Sequence, residues 1–329
     1  MTSPCRACGT PLAHTFVDLG VSPLANRFLG PADLSAGETF YPLHARVCSH
    51  CLLVQLEETI PPEAIFTGDY PYFSSYAATW QAHCQAYAQE MIPRLGLDGR
   101  SLVLEIAAND GTLLGYFARA GIPVLGVEPA AGVAQVAIRA GIPTEVDFFT
   151  AGLARRLAAA GRRADLVVGN NVLAHVPDLA GFVAGLGLCL KEQGTITLEF
   201  PHLLHLMAER QFDTIYHEHF SYFSLLALER IFEDQGLTVF DVKELPIHGG
   251  SLRIFVRHKG DGSRPVRETV SRLRAREEAA GLHRLATYTA FAAQAAAVKR
   301  DLLSFLIREK DQGRRIAGYG APAKGNTLL

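Results

Sequence analysis

Seven consecutive residues, Tyr216-His217-Glu218-His219-Phe220-Ser221-Tyr222, hold two imidazoles, a carboxylate and two phenols. Such groups are costly to bury without hydrogen-bond partners, so their concentration points to proton transfer or ligand recognition, with a solvated histidine-rich loop as the plainer reading. On a strand, His217 and His219 would share one face and Glu218 would take the other. Glu218 can act with His219 only if the segment turns. A His-x-His pair can also hold zinc, but no third convergent ligand is evident beside it.

A second set of chemistry-bearing residues lies near the start. Cys5-x-x-Cys8 and Cys48-x-x-Cys51 are separated by 39 residues. Each pair can direct two thiolates at one ion, and two pairs complete a closed tetrahedral set, so the expected occupant is a structural Zn2+. Pro4 suits a tight turn into the first pair. His14, His44 and His50 are left as packing or surface residues, and Cys84 and Cys189, in helical patterns, as core thiols.

The elements that must position these groups follow from composition and periodicity. The 329 residues are 49% apolar and 19% charged, with a formal net charge of −2. This is globular composition without the basic block that grips a phosphate backbone, so no nucleic-acid partner is expected. No apolar run reaches the ~20 residues of a membrane span. No basic start followed by an apolar run reads as a leader, so a cytoplasmic location with reduced thiols is expected. No signal for an oligomeric state is present. Three regions stand out. Residues 1–65 read as a zinc-binding module. Residues 66–245 alternate helical and strand patterns, the signature of a βαβ sheet. Residues 246–329 open with a strand over Ser251–His258, continue helically from Arg267 to Lys310, and end in a strand from Arg315 into the turn Gly318-x-Gly320. That last unit reads as the start of an α/β domain that is incomplete, because one strand and a turn cannot bury a sheet face.

Within the middle region, Ser101-Leu-Val-Leu-Glu-Ile-Ala-Ala-Asn-Asp-Gly-Thr112 is an apolar run, an acid, small residues and a glycine. It resembles the first strand and turn of a class I methyltransferase, where an acid near the strand end, here Glu105, meets the amino group of S-adenosylmethionine. Ala107 and Ala108 stand where glycines are common, Gly111 remains, and Asn109 between them is counted among the expected cofactor contacts. A core strand with an ordinary turn is the bland alternative. Glu128 ends the next strand pattern and can accept both ribose hydroxyls. Asp147 and Phe148 fit the adenine, one for the amine and one for stacking. Ala164–Asn170 reads as a strand whose carboxyl end carries polar residues, including Asn170, where open α/β sheets bind ligands.

The chain as a whole resembles the bacterial nucleotide-sugar C-methyltransferases of branched-deoxysugar pathways. The resemblance rests on the four cysteines, Gly68-Asp-Tyr-Pro-Tyr-Phe-Ser-Ser-Tyr76, Glu105-Ile-Ala-Ala-Asn-Asp-Gly111, Asn170-Asn-Val-Leu-Ala-His-Val-Pro-Asp178, Tyr216–Phe220, His248-Gly-Gly-Ser-Leu-Arg253 and Gly318-Tyr-Gly-Ala-Pro-Ala-Lys-Gly325. It implies a fold of an N-terminal zinc module, a class I Rossmann-like α/β methyltransferase core and a C-terminal Rossmann-like α/β domain. It also implies a nucleotide-linked substrate, a dTDP 4-keto-deoxysugar methylated at C-3′, with C-5′ as the near alternative. A carbon beside a ketone is weakly acidic, and a base working near neutral pH suits histidine. His219 is the expected base, with Glu218 orienting its ring or stabilising its protonated form. Tyr216 and His175 are the expected donors to the developing enolate oxygen. The resemblance turns Tyr70 towards the sugar, while Tyr72, Phe73 and Tyr76 are expected to pack between domains. His248–Ser251 and Lys324 offer amides and a cation for a diphosphate. Arg253 could serve there or as a structural ion-pair partner. The competing readings are a nicotinamide-dependent oxidoreductase using Gly318-x-Gly320 and a non-catalytic zinc scaffold.

Overall fold

The computed structural model describes residues 3–26, 29–57, 60–61, 72–319 and 323–328. Among them a seven-stranded sheet runs in the order β10-β11-β8-β7-β4-β5-β6. Its strands are β4 (Val103–Ile106), β5 (Val124–Val127), β6 (Thr144–Glu145), β7 (Ala164–Asn170), β8 (Leu190–Pro201), β10 (Leu237–Leu245) and β11 (Ser251–His258). From β6 to β8 the pairing is parallel, and β11 and β10 add an antiparallel edge. Val103, Leu104, Glu105 and Ile106 are all buried, as befits a central parallel strand covered on both faces. The covering helices include α1 (Ala78–Leu95), α2 (Thr112–Arg119), α3 (Ala131–Arg139), α4 (Ala151–Ala159) and α5 (Leu179–Cys189). The side chains of Thr150 and Asp178 cap α4 and α5 by accepting the amides of Leu153 and Gly181. This is the class I methyltransferase α/β fold.

A second sheet, β1-β2-β3-β9, is antiparallel and belongs mostly to the cysteine-bearing region. Its first three strands are β1 (His14–Ser22), β2 (Tyr41–Val47) and β3 (Val54–Leu56). The fourth, β9 (Ser221–Tyr222), comes from the histidine-rich heptapeptide and pairs Val54 with Tyr222 and Gln55 with Ser221. Leu56 N and Arg6 Nη1 each donate to the Phe220 carbonyl at 3.0 Å. The zinc-binding region therefore anchors the segment that carries His219.

The strand Ser251–His258 pairs with both β8 and β10, so the third region contributes a strand to the large sheet. One expectation is corrected. Residues 314–319 form no strand. They are exposed and make no strand pairing among the described residues, and an unpaired strand leaves its backbone groups unsatisfied. Helices α6 (Leu203–Ala208), α7 (Leu225–Glu233), α8 (Glu268–Ala279), α9 (Leu285–Thr289) and α10 (Phe291–Asp311) follow the helical reading, and α11 (Ala323–Leu328) lies against the Phe212–Thr214 turn and β1 of the small sheet. No helix among the described residues is long and apolar enough to cross a membrane.

Candidate active site

A cavity of about 1000 Å³ opens at the carboxyl ends of β4, β5 and β7, where the strand order reverses direction. That is where open α/β sheets bind ligands. The volume stands at the upper end of the ~300–1,000 Å³ of small-molecule pockets.

One wall is the turn after β4. Ala107, Asn109 and Gly111 have φ of 58°, 53° and 77°. Gly111 is required, because a Cβ there would lie 3.1 Å from both Ala137 Cβ and Ile142 Cγ1. Ala107 holds the left-handed conformation at a cost of ~1 kcal/mol. Glu105 is buried, and its Oε2 has no hydrogen-bond partner. Burial first, then the nearby Glu128 and Asp110 carboxylates, push its pKa well above the usual range. Glu128 accepts the amides of Asn109 and Ala130, each at 2.9 Å, and burial raises it too. Asn170, at the end of β7, has both amide atoms buried without partners and facing the same space. Phe148 is half-buried in the cavity wall; Asp147 is exposed there, its carboxylate 2.9 Å from Arg156.

The Asn109 side chain, in the cavity wall, also bonds within the protein. Its Oδ1 accepts the Ser74 amide at 2.8 Å, and its Nδ2 donates to the Tyr72 carbonyl at 3.1 Å. The neighbouring Asp110 accepts the Ser75 amide at 2.9 Å. This side chain latches the segment leaving the zinc-binding region onto the turn, and only the rest of Asn109 is left for a ligand. Tyr72 lines the cavity instead of packing between domains, and Tyr76 is 79% exposed. Tyr70 lies outside the described residues.

The opposite wall is the heptapeptide, which turns instead of extending. The His219 amide donates to the Tyr216 carbonyl at 2.9 Å, with His217 and Glu218 at the corner. His217 therefore points away, its Nε2 donating to the Pro42 carbonyl at 3.1 Å, so the two histidines do not share a face. His219 faces the cavity, with Nδ1 2.9 Å from the Thr214 carbonyl and Nε2 2.8 Å from the Tyr216 hydroxyl. A carbonyl can only accept, so Nδ1 carries the proton and Nε2 presents its lone pair. Burial, and next the His175 ring, hold His219 well below the ordinary histidine range. The His175 and His219 rings lie 4.9 Å apart, and burial takes His175 down to about 4. Both are neutral near pH 7.

Glu218 does not touch the His219 ring nitrogens. Its Oε1 accepts from Asn26 Nδ2 at 2.6 Å, and burial raises its pKa. The turn explains this: residues at its corner project apart. Asn26 lies between the cysteine pairs without a motif around it, and no feature of the sequence marks it. Lys324 and His248 reach the same cavity, whereas Arg253 is buried against Glu199 and Glu90, a structural ion pair.

The four cysteines converge. Their sulfurs all lie within 4.8 Å of one another, with Cys5–Cys51 and Cys8–Cys48 at 3.5 Å. A tetrahedron with zinc–sulfur bonds of ~2.3 Å has edges of ~3.8 Å, so the set matches Zn2+. Gln55 Nε2 donates to Cys5 Sγ at 3.1 Å, and the amides of His50 and Cys51 point at Cys48 Sγ, as suits thiolates.

Three family models match the chain: a zinc binding domain over residues 5–66, a methyltransferase domain over 80–242 and a C-methyltransferase C-terminal domain over 246–329. C-methyltransferase NovU of Streptomyces niveus is 37% identical over 325 residues, 99% of this chain and 77% of that protein. The chain belongs to the C-methyltransferase family. A ubiquinone biosynthesis O-methyltransferase of Azorhizobium caulinodans is 34% identical over 115 residues, 32% of this chain and 44% of its own length. A magnesium protoporphyrin IX methyltransferase of Synechocystis, solved with bound S-adenosylhomocysteine, aligns at 17% identity and TM-score 0.42 over 54% of this chain and 82% of that one.

S-adenosylmethionine is the methyl donor of this methyltransferase, and the cavity fits it. The Glu105 Oε2 and the two orphaned Asn170 atoms are buried polar groups that a ligand would satisfy. Glu105 is placed for a cationic ligand, since positive charge offsets the burial and the carboxylate repulsion that raise its pKa.

Proposed function

We propose that this methyltransferase places a methyl group on a carbon beside the ketone of a nucleotide-linked 4-keto-deoxysugar, a dTDP sugar methylated at C-3′. The observation that carries this reading is the fixed tautomer of His219. Its Nδ1–H is held by the Thr214 carbonyl, which leaves Nε2 as a proton acceptor facing the cavity that also holds Glu105 and Asn170. Bound S-adenosylmethionine supplies an electrophilic methyl on a sulfonium. His219 Nε2 takes the proton from the substrate carbon. The Tyr216 hydroxyl, which lies 2.8 Å from that nitrogen, turns its hydrogen bond to the ketone oxygen and so uncovers the base. His175 lines the same cavity with its ring 4.9 Å from that of His219, and is the second group proposed to meet the negative charge as it develops. One preorganised donor of this kind contributes about 3 kcal/mol.

Lys324 and His248 line the same cavity on the His219 side and suit a diphosphate. Gly320 of the Gly318-x-Gly320 turn, part of the same reading, lies outside the described residues. Four thiolate ligands need a reducing compartment, which supports a cytoplasmic location. The relationship to NovU, a C-methyltransferase, supports carbon as the accepting atom. The domain division 1–65, 66–245 and 246–329 is kept as a proposal.

The test is transfer of labelled methyl from S-adenosylmethionine to a thymidine-diphosphate 4-keto-deoxysugar, with the carbon located by NMR of the product. His219→Asn should lower turnover by ~10²–10⁴ while leaving cofactor affinity within twofold. Near-normal turnover in that variant would assign the base elsewhere.

A further inference from the structure

We propose a second metal site, separate from the four cysteines and built from His202, His205 and Glu244, that takes a first-row divalent cation such as Zn2+, Co2+ or Ni2+. One ring nitrogen from each histidine and one carboxylate oxygen of Glu244 lie within 4.8 Å of one another. His202 ends the β8 strand region at the N-cap of α6, and His205 sits one turn on, so both project to the same side. Glu244 comes from the end of β10.

The hydrogen bonding around the three residues is that of ligands awaiting an ion. The His202 side chain is fully buried, and its Nδ1 has no partner. Its Nε2 lies 2.7 Å from Glu277 Oε1, and Glu277 also accepts the amides of Leu225 and Leu226. A carboxylate on one ring nitrogen fixes the tautomer, so that the other presents a lone pair, the usual support of a metal-bound histidine. On His205, Nε2 lies 3.3 Å from Glu244 Oε1, and Nδ1 lies 3.7 Å from Glu209. Two ligands about 2.1 Å from one ion stand ~3.0–3.4 Å apart, so the His205–Glu244 spacing needs no rearrangement. Arg276 donates to the other Glu244 oxygen at 2.5 Å and holds the carboxylate in place. Three carboxylates, Glu209, Glu244 and Glu277, face one guanidinium, so the surroundings favour a cation.

Two imidazoles with one carboxylate select a transition metal over Ca2+ or Mg2+, which want oxygen ligands throughout. The His205 and Glu244 side chains are 29% and 40% exposed, which leaves an entry path and room for water in the remaining positions. The backbone is shaped for this contact: a Cβ at Gly250 would lie 2.8 Å from His205 Cγ, and the Gly250 carbonyl accepts the His202 amide. Pro201 and His248, on either side of that junction, line the large cavity. A bound ion would pin the back of the cavity wall.

The experiment titrates Co2+ into the full chain, carrying no added histidines and with zinc already in the cysteine site. One further equivalent should bind with ligand-field absorption and without sulfur-to-cobalt charge transfer, and should raise Tm. His205→Ala and Glu244→Gln should each abolish that equivalent and the rise in Tm, while keeping one thiolate-bound zinc per chain as the sign of an intact fold. The proposal is overturned if cobalt binds only with thiolate charge transfer, or if the nitrogen-and-oxygen signal survives both substitutions.

Discussion

Asn26 Nδ2 donates to Glu218 Oε1 at 2.6 Å, joining residues 192 positions apart. The contact ties the loop between the cysteine pairs to the corner of the His219 turn. With β9 in the small sheet and the Phe220 carbonyl taken by Leu56 and Arg6, the zinc-binding region supports one whole wall of the cavity. Phe220 N donates onward to the Ala174 carbonyl at 2.7 Å, beside His175.

Loss of the metal should therefore reach the active site. Cys48→Ser, or stripping with a strong chelator, should destabilise the fold by about 3 kcal/mol or more. It should also lower kcat/KM before global unfolding, because the turn that presents His219 loses its anchor. Unchanged kinetics in stripped but folded protein, followed with zinc content and circular dichroism, would mean that the module acts independently.

Asn109→Ala removes both hydrogen bonds to the 72–74 segment. Two such bonds correspond to a loss of ~1–3 kcal/mol. We expect faster proteolysis near that segment and a raised KM for S-adenosylmethionine, with kcat less affected. Limited proteolysis and steady-state kinetics on one preparation read both effects.

Glu105→Gln should separate stability from binding. Because the folded carboxyl pKa is raised, its contribution to stability is present at low pH and is lost as pH rises through that value. Glutamine stays neutral, so above that pH the variant should melt higher than the parent. Its affinity for S-adenosylmethionine should fall at least about tenfold, since the cationic ligand loses its counter-charge. Calorimetry with thermal melts checks the pair, and a variant both less stable and unimpaired in binding would contradict it.

His175 predicts an acid weakness. Its folded pKa is about 4 against an ordinary value of ~6.5, so between those values the unfolded chain holds the extra proton. Stability should fall as pH drops through that window, by about 3 kcal/mol from this residue. Urea unfolding at pH 7 and pH 5 should show a smaller difference for His175→Gln than for the parent. His219, lowered in the same direction, should keep the acid limb of kcat/KM below the ordinary histidine range.

Much of the site was readable from residue types. Glu105 lies in a strand whose four residues are all buried and Asn170 ends another, so the strand pattern together with the resemblance to class I methyltransferases pointed to both as cofactor contacts. The cysteine spacing likewise implied its own cluster. Partners were not readable. Glu218 follows His217 and precedes His219, and only the turn reveals that it pairs with Asn26 and not with either imidazole. Asn109 sits in a cofactor motif, yet its side chain holds Ser74. Tyr72 carries no mark that distinguishes a cavity edge from an interdomain contact.

Local order along the chain, then, was enough to specify an α/β class of fold and the four thiolates, because period and ligand spacing are short-range properties, while the methyl donor was implied by resemblance to known methyltransferases. The tautomer of His219, the partner of Glu218, the place of Ser251–His258 in the central sheet and the meeting of His202 with Glu244 required the folded chain. Each depends on which distant backbone group or side chain arrives within hydrogen-bond distance, and that is set by packing among segments tens to hundreds of residues apart.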